Sequence, residues 1–185
     1  MIWGWFCGCS IRNWRWWDDQ RNGPGIGRMS VVIRRAGPAD VRAMSAVLTA
    51  SIIELCAADH GGDADAIAAW TRNKSEEGVA GMLANPDLQL FVAEGAMGVV
   101  AVGAVTNDGT VSLNYVAPAA RFAGISSAML ARLELALVEL GHHEGRLEST
   151  RTARAFYLAR GWLADGPQAD GLVVNGYPMR KTLRL

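Results

Sequence analysis

From Met29 onward the spacing of apolar residues changes period several times, and each change marks an element. Ser30–Arg35 is a short Val/Ile run that reads as a strand. Gly37-Pro38 opens a helix, with proline at its first position and Asp40 near the positive end of the dipole. Val41, Met44, Leu48, Ile52 and Leu55 then recur at helical spacing, which predicts one buried face through about Cys56. Asp59-His60-Gly61-Gly62 reads as a turn. A second helix covers roughly Asp63–Asn73 and a third begins near Ser75. Glu76 and Glu77 suit the first turn of that third helix, and Asn85-Pro86 stops it.

Strand patterns dominate next. Leu88–Glu94 and Val99–Thr106 are apolar runs separated by a glycine-containing turn, and Asn107-Asp108-Gly109 is a hairpin signal leading into Thr110–Val116. A helix follows over about Gly124–Leu140, then a short strand at Arg146–Ser149 and a helix at Arg151–Arg160 that Gly161 is placed to end. One or two more strands close the chain, including Gly176–Leu183. The order predicts an α/β fold: a single mixed, mostly antiparallel central sheet flanked by helices.

Residues 1–28 follow no such pattern. Trp3, Trp5, Trp14, Trp16 and Trp17 crowd into a stretch without helical or strand period, which closes on the breaker cluster Asn22-Gly23-Pro24-Gly25-Ile26-Gly27. The segment lacks the basic start, apolar stretch and small-residue cleavage site of a signal peptide. It reads as a loosely ordered upstream extension, with 29–185 as the domain; an aromatic arm for a partner or membrane surface is the competing reading.

Composition narrows the class. The chain has 185 residues, half of them hydrophobic, enough for one domain with a real core. Lys+Arg and Asp+Glu both number 18, so no global charge draws it to nucleic acid or to an anionic membrane. Three cysteines, Cys7, Cys9 and Cys56, make no disulfide framework and point to a reducing compartment, the cytoplasm by default. Cys7 and Cys9 have no second ligand pair, so they read as free thiols and no metal is expected.

The chemistry concentrates in Asn114-Tyr115-Val116-Ala117-Pro118-Ala119-Ala120-Arg121-Phe122-Ala123-Gly124-Ile125-Ser126-Ser127. A strand ends at Val116-Ala117-Pro118 and a helix starts at Gly124, whose first N–H groups and dipole make an anion site. Arg121 can add a bidentate charge, Gly124 lets an oxygen approach the backbone, and Ser126 and Ser127 are small donors. A phosphate or pyrophosphate fits; so, on the loop alone, does a helix start with an incidental Arg and Gly. No Gly-Lys-Ser/Thr tetrad marks a P-loop, and an antiparallel meander precedes the loop where a dinucleotide fingerprint needs a βαβ unit.

At these residues the sequence resembles the GNAT superfamily of N-acetyltransferases, the acyl-CoA N-acyltransferase fold. Arg121-Phe122-Ala123-Gly124-Ile125-Ser126 matches the family's Gln/Arg-x-x-Gly-x-Gly/Ala loop, with Ser126 at the last small position. Downstream, Thr150-Arg151-Thr152-Ala153-Arg154-Ala155-Phe156-Tyr157-Leu158-Ala159-Arg160-Gly161-Trp162 follows the family's Asn-x-x-Ala-x-x-Phe-Tyr-x-x-x-Gly-Phe, with Thr150 in place of Asn. The resemblance spans about 29–185.

It implies acetyl-CoA as co-substrate. The N–H groups from Arg121 to Ser127 would bind the pyrophosphate. The Val116 strand edge would hold the pantetheine arm together with Thr150 and Ala153, and Tyr115 and Asn114 would stand near the thioester. Tyr157 corresponds to the family's general acid, and a primary amine of a small molecule or peptide would attack directly. No carboxylate lies on Thr110–Val116, so the sequence assigns no base. Asp59 and His60 are acceptor-site candidates, against the alternative of a capping Asp beside a solvent His. His142 and His143 read as exposed loop residues and Cys56 as core. A non-catalytic acyl-CoA or metabolite sensor of the same fold is the competing class. The oligomeric state stays open, a homodimer included.

Overall fold

The computed structural model describes residues 30–169 and 176–184, so the expected extension at 1–28 lies outside the described residues. Four strands, β1 (Val32–Arg35), β2 (Leu88–Gly95), β3 (Gly98–Thr106) and β4 (Val111–Val116), form an antiparallel sheet in that order. A second antiparallel sheet has the order β5 (Glu144–Ser149), β7 (Tyr177–Thr182), β6 (Leu163–Ala164). The two meet where β4 and β5 start side by side and parallel. A single bridge joins Thr110 to Arg146, whose N–H donates to the Gly109 carbonyl at 3.0 Å. The expected mixed, mostly antiparallel sheet is present, and its continuity at this seam rests on that bridge.

Both faces of the first sheet are covered, which explains why β2 and β3 read as nearly continuous apolar runs. Leu90, Val92, Val102 and Ala104 point to one face, where Met44 and Leu48 of α1 (Val41–Leu55) and Val79 of α4 (Glu76–Ala84) cover them. Phe91, Ala93, Ala101 and Val105 point to the other, against Met129, Leu133 and Leu137 of α5 (Ile125–Glu139). Gly103 lies beneath α5, where a Cβ would come within 2.7 Å of the Met129 sulfur, so the missing side chain lets helix and strand approach closely.

Several element ends differ from the periodic reading for local hydrogen-bonding reasons. Pro38–Asp40 is a 3-10 turn ahead of α1, and Asp40 accepts from the Gly37 N–H while pairing bidentately with Arg34 at 2.8 Å. The Arg34 guanidinium holds the Asp40 carboxyl below the usual carboxylate range. The stretch read as a turn begins as a short helix, α2 (Ala57–His60), which Gly61 ends with φ 62°. Asp63 and Ser75 cap α3 (Ala64–Thr71) and α4 by accepting from Ala66 and Gly78.

The last helix, α6 (Arg154–Leu158), is shorter than the expected Arg151–Arg160. Residues 151–153 form a turn instead, closed by the Ala153 N–H on the Thr150 carbonyl, with the Arg151 and Thr152 N–H groups donated to Asp59, far away in sequence. His142 also departs from the expected exposed loop residue. Half-buried, it packs its ring against the bare Gly109 backbone with Nε2 2.9 Å from the Asn107 carbonyl. Among the described residues no helix is long and apolar enough to cross a membrane.

Candidate functional site

β4 and β5 start together and then diverge. The gap widens into a cleft of about 680 Å³ between the C-terminal half of β4, the start of α5, and α6. A β-bulge at Ser112, where Ala104 faces Leu113 but Val105 faces Val111, twists β4 just as it leaves its neighbour. Ala117 donates to the Val100 carbonyl on the β3 side, so by the alternation of an antiparallel ladder the backbone groups of Asn114 and Val116 point away from β3, into the cleft.

The loop between β4 and α5 exposes its donors. A 3-10 turn at Pro118–Ala120 ends the strand, then Phe122 takes φ 62° and Gly124 φ 78° immediately before the helix. Phe122 is a non-glycine residue in the left-handed region, a conformation that costs energy and is concentrated at functional loops. Among the described residues the N–H groups of Phe122, Ala123, Gly124, Ile125 and Ser126 have no hydrogen-bond acceptor, the first internal bonds being Ser127 and Ala128 to the Gly124 carbonyl. A bare Cα at Gly124, with nothing within 4 Å of a built Cβ, leaves this row of donors open.

Two guanidinium groups stand beside those donors. Arg121 lines the cleft and lies over the Phe122 ring at 4.6 Å. Arg160, which the sequence reading did not single out, reaches across from the end of α6. It stacks on Phe156 at 3.8 Å, donates to the Phe156 carbonyl and hydrogen-bonds the Ser127 hydroxyl with Nε at 3.1 Å. Its only sequence signal is its spacing, one helical turn after Phe156 and Tyr157, which points it toward whatever Tyr157 faces.

Deeper in, Tyr157 on α6 is almost fully buried yet lines the cleft, held edge-on between Phe156 and Trp162 at 5.1 and 6.0 Å. Burial pushes its phenol up to about 12, against a smaller opposing effect of the Asn114 amide, whose Nδ2 donates to the phenol oxygen at 3.5 Å. The Asn114 Oδ1 is buried and has no hydrogen-bond partner among the described residues. Buried polar atoms are ordinarily satisfied, and this one, on a residue that lines the cleft, is an exception. Tyr115 packs against Ile52, Cys56 and Trp70 on the opposite side of the sheet, and burial raises its phenol as well. Cys56 shares that wall, its thiol pushed up to about 12 by burial.

The structure brings Asn114, Tyr115, Val116, Arg121, Phe122, Gly124, Ile125, Ser126, Ser127, Thr150, Ala153 and Tyr157 to this one cleft. Ala123 belongs to the same loop but packs toward the core. The Thr150 hydroxyl accepts from the Ala153 N–H at 3.1 Å and so starts α6. Asp59 and His60 do not line the cleft. The Asp59 carboxylate takes the N–H of Arg151 at 2.6 Å, that of Thr152 at 3.2 Å and the Thr152 hydroxyl at 2.5 Å. His60 is buried rather than solvent-facing. The Gly62 N–H donates to its Nδ1, which leaves Nε2 to donate to the Ile52 carbonyl, so both ring nitrogens are engaged. Glu148 on β5, which the sequence reading passed over, does line the cleft.

The family model for the acetyltransferase (GNAT) domain matches residues 56–183. The chain belongs to the GNAT acetyltransferase family. Solved structures share the fold of this GNAT domain. A GCN5-related N-acetyltransferase (aminotransferase, class-II) of Rhodopseudomonas palustris aligns with a TM-score of 0.74 at 21% identity, over 86% of this chain and 100% of that one. The PaiA N-acetyltransferase of Thermoplasma acidophilum, solved with coenzyme A, gives 0.68 at 20% identity over 83% and 99%. A phosphinothricin acetyltransferase of Sinorhizobium meliloti, solved with acetyl-CoA, gives 0.58 at 19% over 84% and 89%. No curated protein matches the sequence.

Proposed function

We propose that this GNAT protein transfers an acetyl group from acetyl-CoA to a primary amine of a small molecule or peptide, by direct attack and with Tyr157 as general acid. The observation that carries the reading is one cleft with an anion-binding row of free N–H groups at one end and a buried phenol at the other. The residues fit the donor at each point. The amides of Phe122 through Ser126, with Arg121 and Arg160, suit a pyrophosphate at a helix start. The outward groups of Asn114 and Val116 suit an extended, amide-bearing arm added as a strand. The coenzyme A and acetyl-CoA complexes of the Thermoplasma and Sinorhizobium proteins support the same donor class.

Bound there, acetyl-CoA supplies an activated thioester. The buried Tyr157 then does the proton work. Its raised pKa keeps the phenol protonated across ordinary pH, so it is ready to protonate the departing thiolate. Water can take the proton that the amine loses on attack. The sign of the shift fixes a pH expectation: the rate rises with pH as the amine deprotonates, with no falling limb from Tyr157 until the pH nears 12.

The test is to incubate the protein with acetyl-CoA and a panel of amines and to follow free CoA thiol. Tyr157→Phe should lower kcat about a hundredfold, within the usual range for a lost general acid, while acetyl-CoA affinity stays within about twofold. Acetyl-CoA binding without turnover on any amine would favour a sensor, and an unchanged rate in Tyr157→Phe would remove it as the acid.

A further inference from the structure

Three charged side chains line the cleft among the described residues, and they are segregated: Arg121 and Arg160 flank the start of α5, while Glu148 stands on β5. Gly145 and Leu147 of β5 point to the α5 face, since a Cβ at Gly145 would meet Leu137 and Trp162, and Leu147 joins that core. By strand alternation Arg146 and Glu148 point to the opposite side of the sheet, the side on which α1 packs against β3 and β4, and both are exposed. Ser51, Leu55 and Cys56, from the end of α1, line the cleft from that same side. The cleft therefore passes through the sheet at the β4–β5 seam. One mouth is cationic and one carries a carboxylate.

Glu148 has no hydrogen-bond or ion-pair partner among the described residues, and room for its carboxylate is made by Gly176, where a Cβ would sit 3.1 Å from Oε2. An anionic donor at the arginine mouth leaves the glutamate mouth for the acceptor. A carboxylate near an amine favours its ammonium form, the form a recognised group keeps and the attacking amine must lose. Its useful partner is a different positive charge on the same acceptor.

Resting on the acetyltransferase reading above, we propose that Glu148 selects acceptors that carry a second cationic group in addition to the amine that is acetylated. The experiment compares butylamine, diaminobutane and γ-aminobutyrate, which share a chain length and differ in the charge at the far end. Wild-type kcat/KM should favour diaminobutane over butylamine by up to about fivefold, the scale of an exposed charge pair, with γ-aminobutyrate lowest. Glu148→Gln should bring the three within about twofold, and Glu148→Lys should move γ-aminobutyrate to first place. Raising ionic strength should narrow the wild-type ratio, which a purely structural role would not do. Acetyl-CoA affinity, measured by calorimetry, checks that each variant is folded.

Equal wild-type rates on butylamine and diaminobutane, or a ratio unchanged in Glu148→Gln, would overturn the role of Glu148 and leave acetyl transfer standing. Acetyl-CoA binding with no thiol released on any of the three would overturn the selection proposed for Glu148, and no release across the wider amine panel would overturn acetyl transfer as well.

Discussion

Two seams of the same sheet behave differently. β3 and β4 stay paired from Val105–Val111 to Ala101–Val116, with side chains from α1 and α5 closing over both faces. β4 and β5 touch at one bridge, Thr110–Arg146, and then separate. The closed seam keeps β3 and β4 paired along their length, apart from the bulge at Ser112. The open one exposes the edge of β4, the start of α5 and the phenol of Tyr157 to a common cleft. An edge strand is ordinarily a liability; here it is turned inward and shielded by α5 and α6. The contrast teaches that the site depends on where pairing stops as much as on the residues that line it.

The comparison can be broken most strongly at Trp162. Its fully buried ring packs beneath Gly145 and against Tyr157, and its indole N–H donates to Glu134 at 2.9 Å. Trp162→Ala should cost about 3–5 kcal/mol in denaturant unfolding, by leaving a cavity under the open seam. On the closed seam the corresponding change is Gly103→Ala, whose new Cβ would press on Met129 at 2.7 Å and on Leu133 at 3.0 Å. Overpacking there should cost about 1–3 kcal/mol in the same measurement, with acetyl-CoA affinity reduced only in proportion to folded fraction.

Smaller effects should separate binding from folding within the open seam. Arg160→Ala removes a guanidinium from the start of α5 and its bond to Ser127. Acetyl-CoA should bind about tenfold more weakly by calorimetry, with little change in the unfolding midpoint. Asp59→Ala frees the N–H groups of Arg151 and Thr152, which sit at the surface where water can replace the carboxylate. A two- to threefold fall in kcat, roughly, is expected as Tyr157 loses precise seating, without loss of fold; a larger fall would give Asp59 a direct part in the reaction.

Elements with strong periodicity were readable to within a few residues. Met44, Leu48 and Ile52 predicted the buried face of α1, and Asn107-Asp108-Gly109 predicted the β3–β4 hairpin. Errors fell where a distant group competes for backbone donors. No local pattern announces that Asp59 will hold the turn at Arg151 and Thr152 ahead of α6, and the sequence reading ran the helix through it. His60 failed for a related reason. A histidine in a Gly-Gly turn looks solvent-bound until the fold folds its ring back onto Ile52. The two motifs carried the donor half of the proposed site through their resemblance to the GNAT pattern, which is itself local: a glycine at a helix start and a tyrosine at fixed helical spacing. The acceptor half has no such grammar.

The sequence by itself determined the elements, their order and a strand-to-helix loop at Arg121–Ser127 suited to an anion, because each follows from local sterics and spacing, while Tyr157 stood out through the resemblance of its motif to the GNAT pattern. Only the tertiary structure decided that Asn114 meets Tyr157, that Arg160 joins the loop, and that Glu148, though exposed, lines the cleft. In β5 the alternation of Arg146 and Glu148 with Gly145, Leu147 and Ser149 separates two faces without saying what lies beyond either. What lies beyond is set by the parting of β4 from β5, a long-range pairing that no stretch of the chain encodes alone.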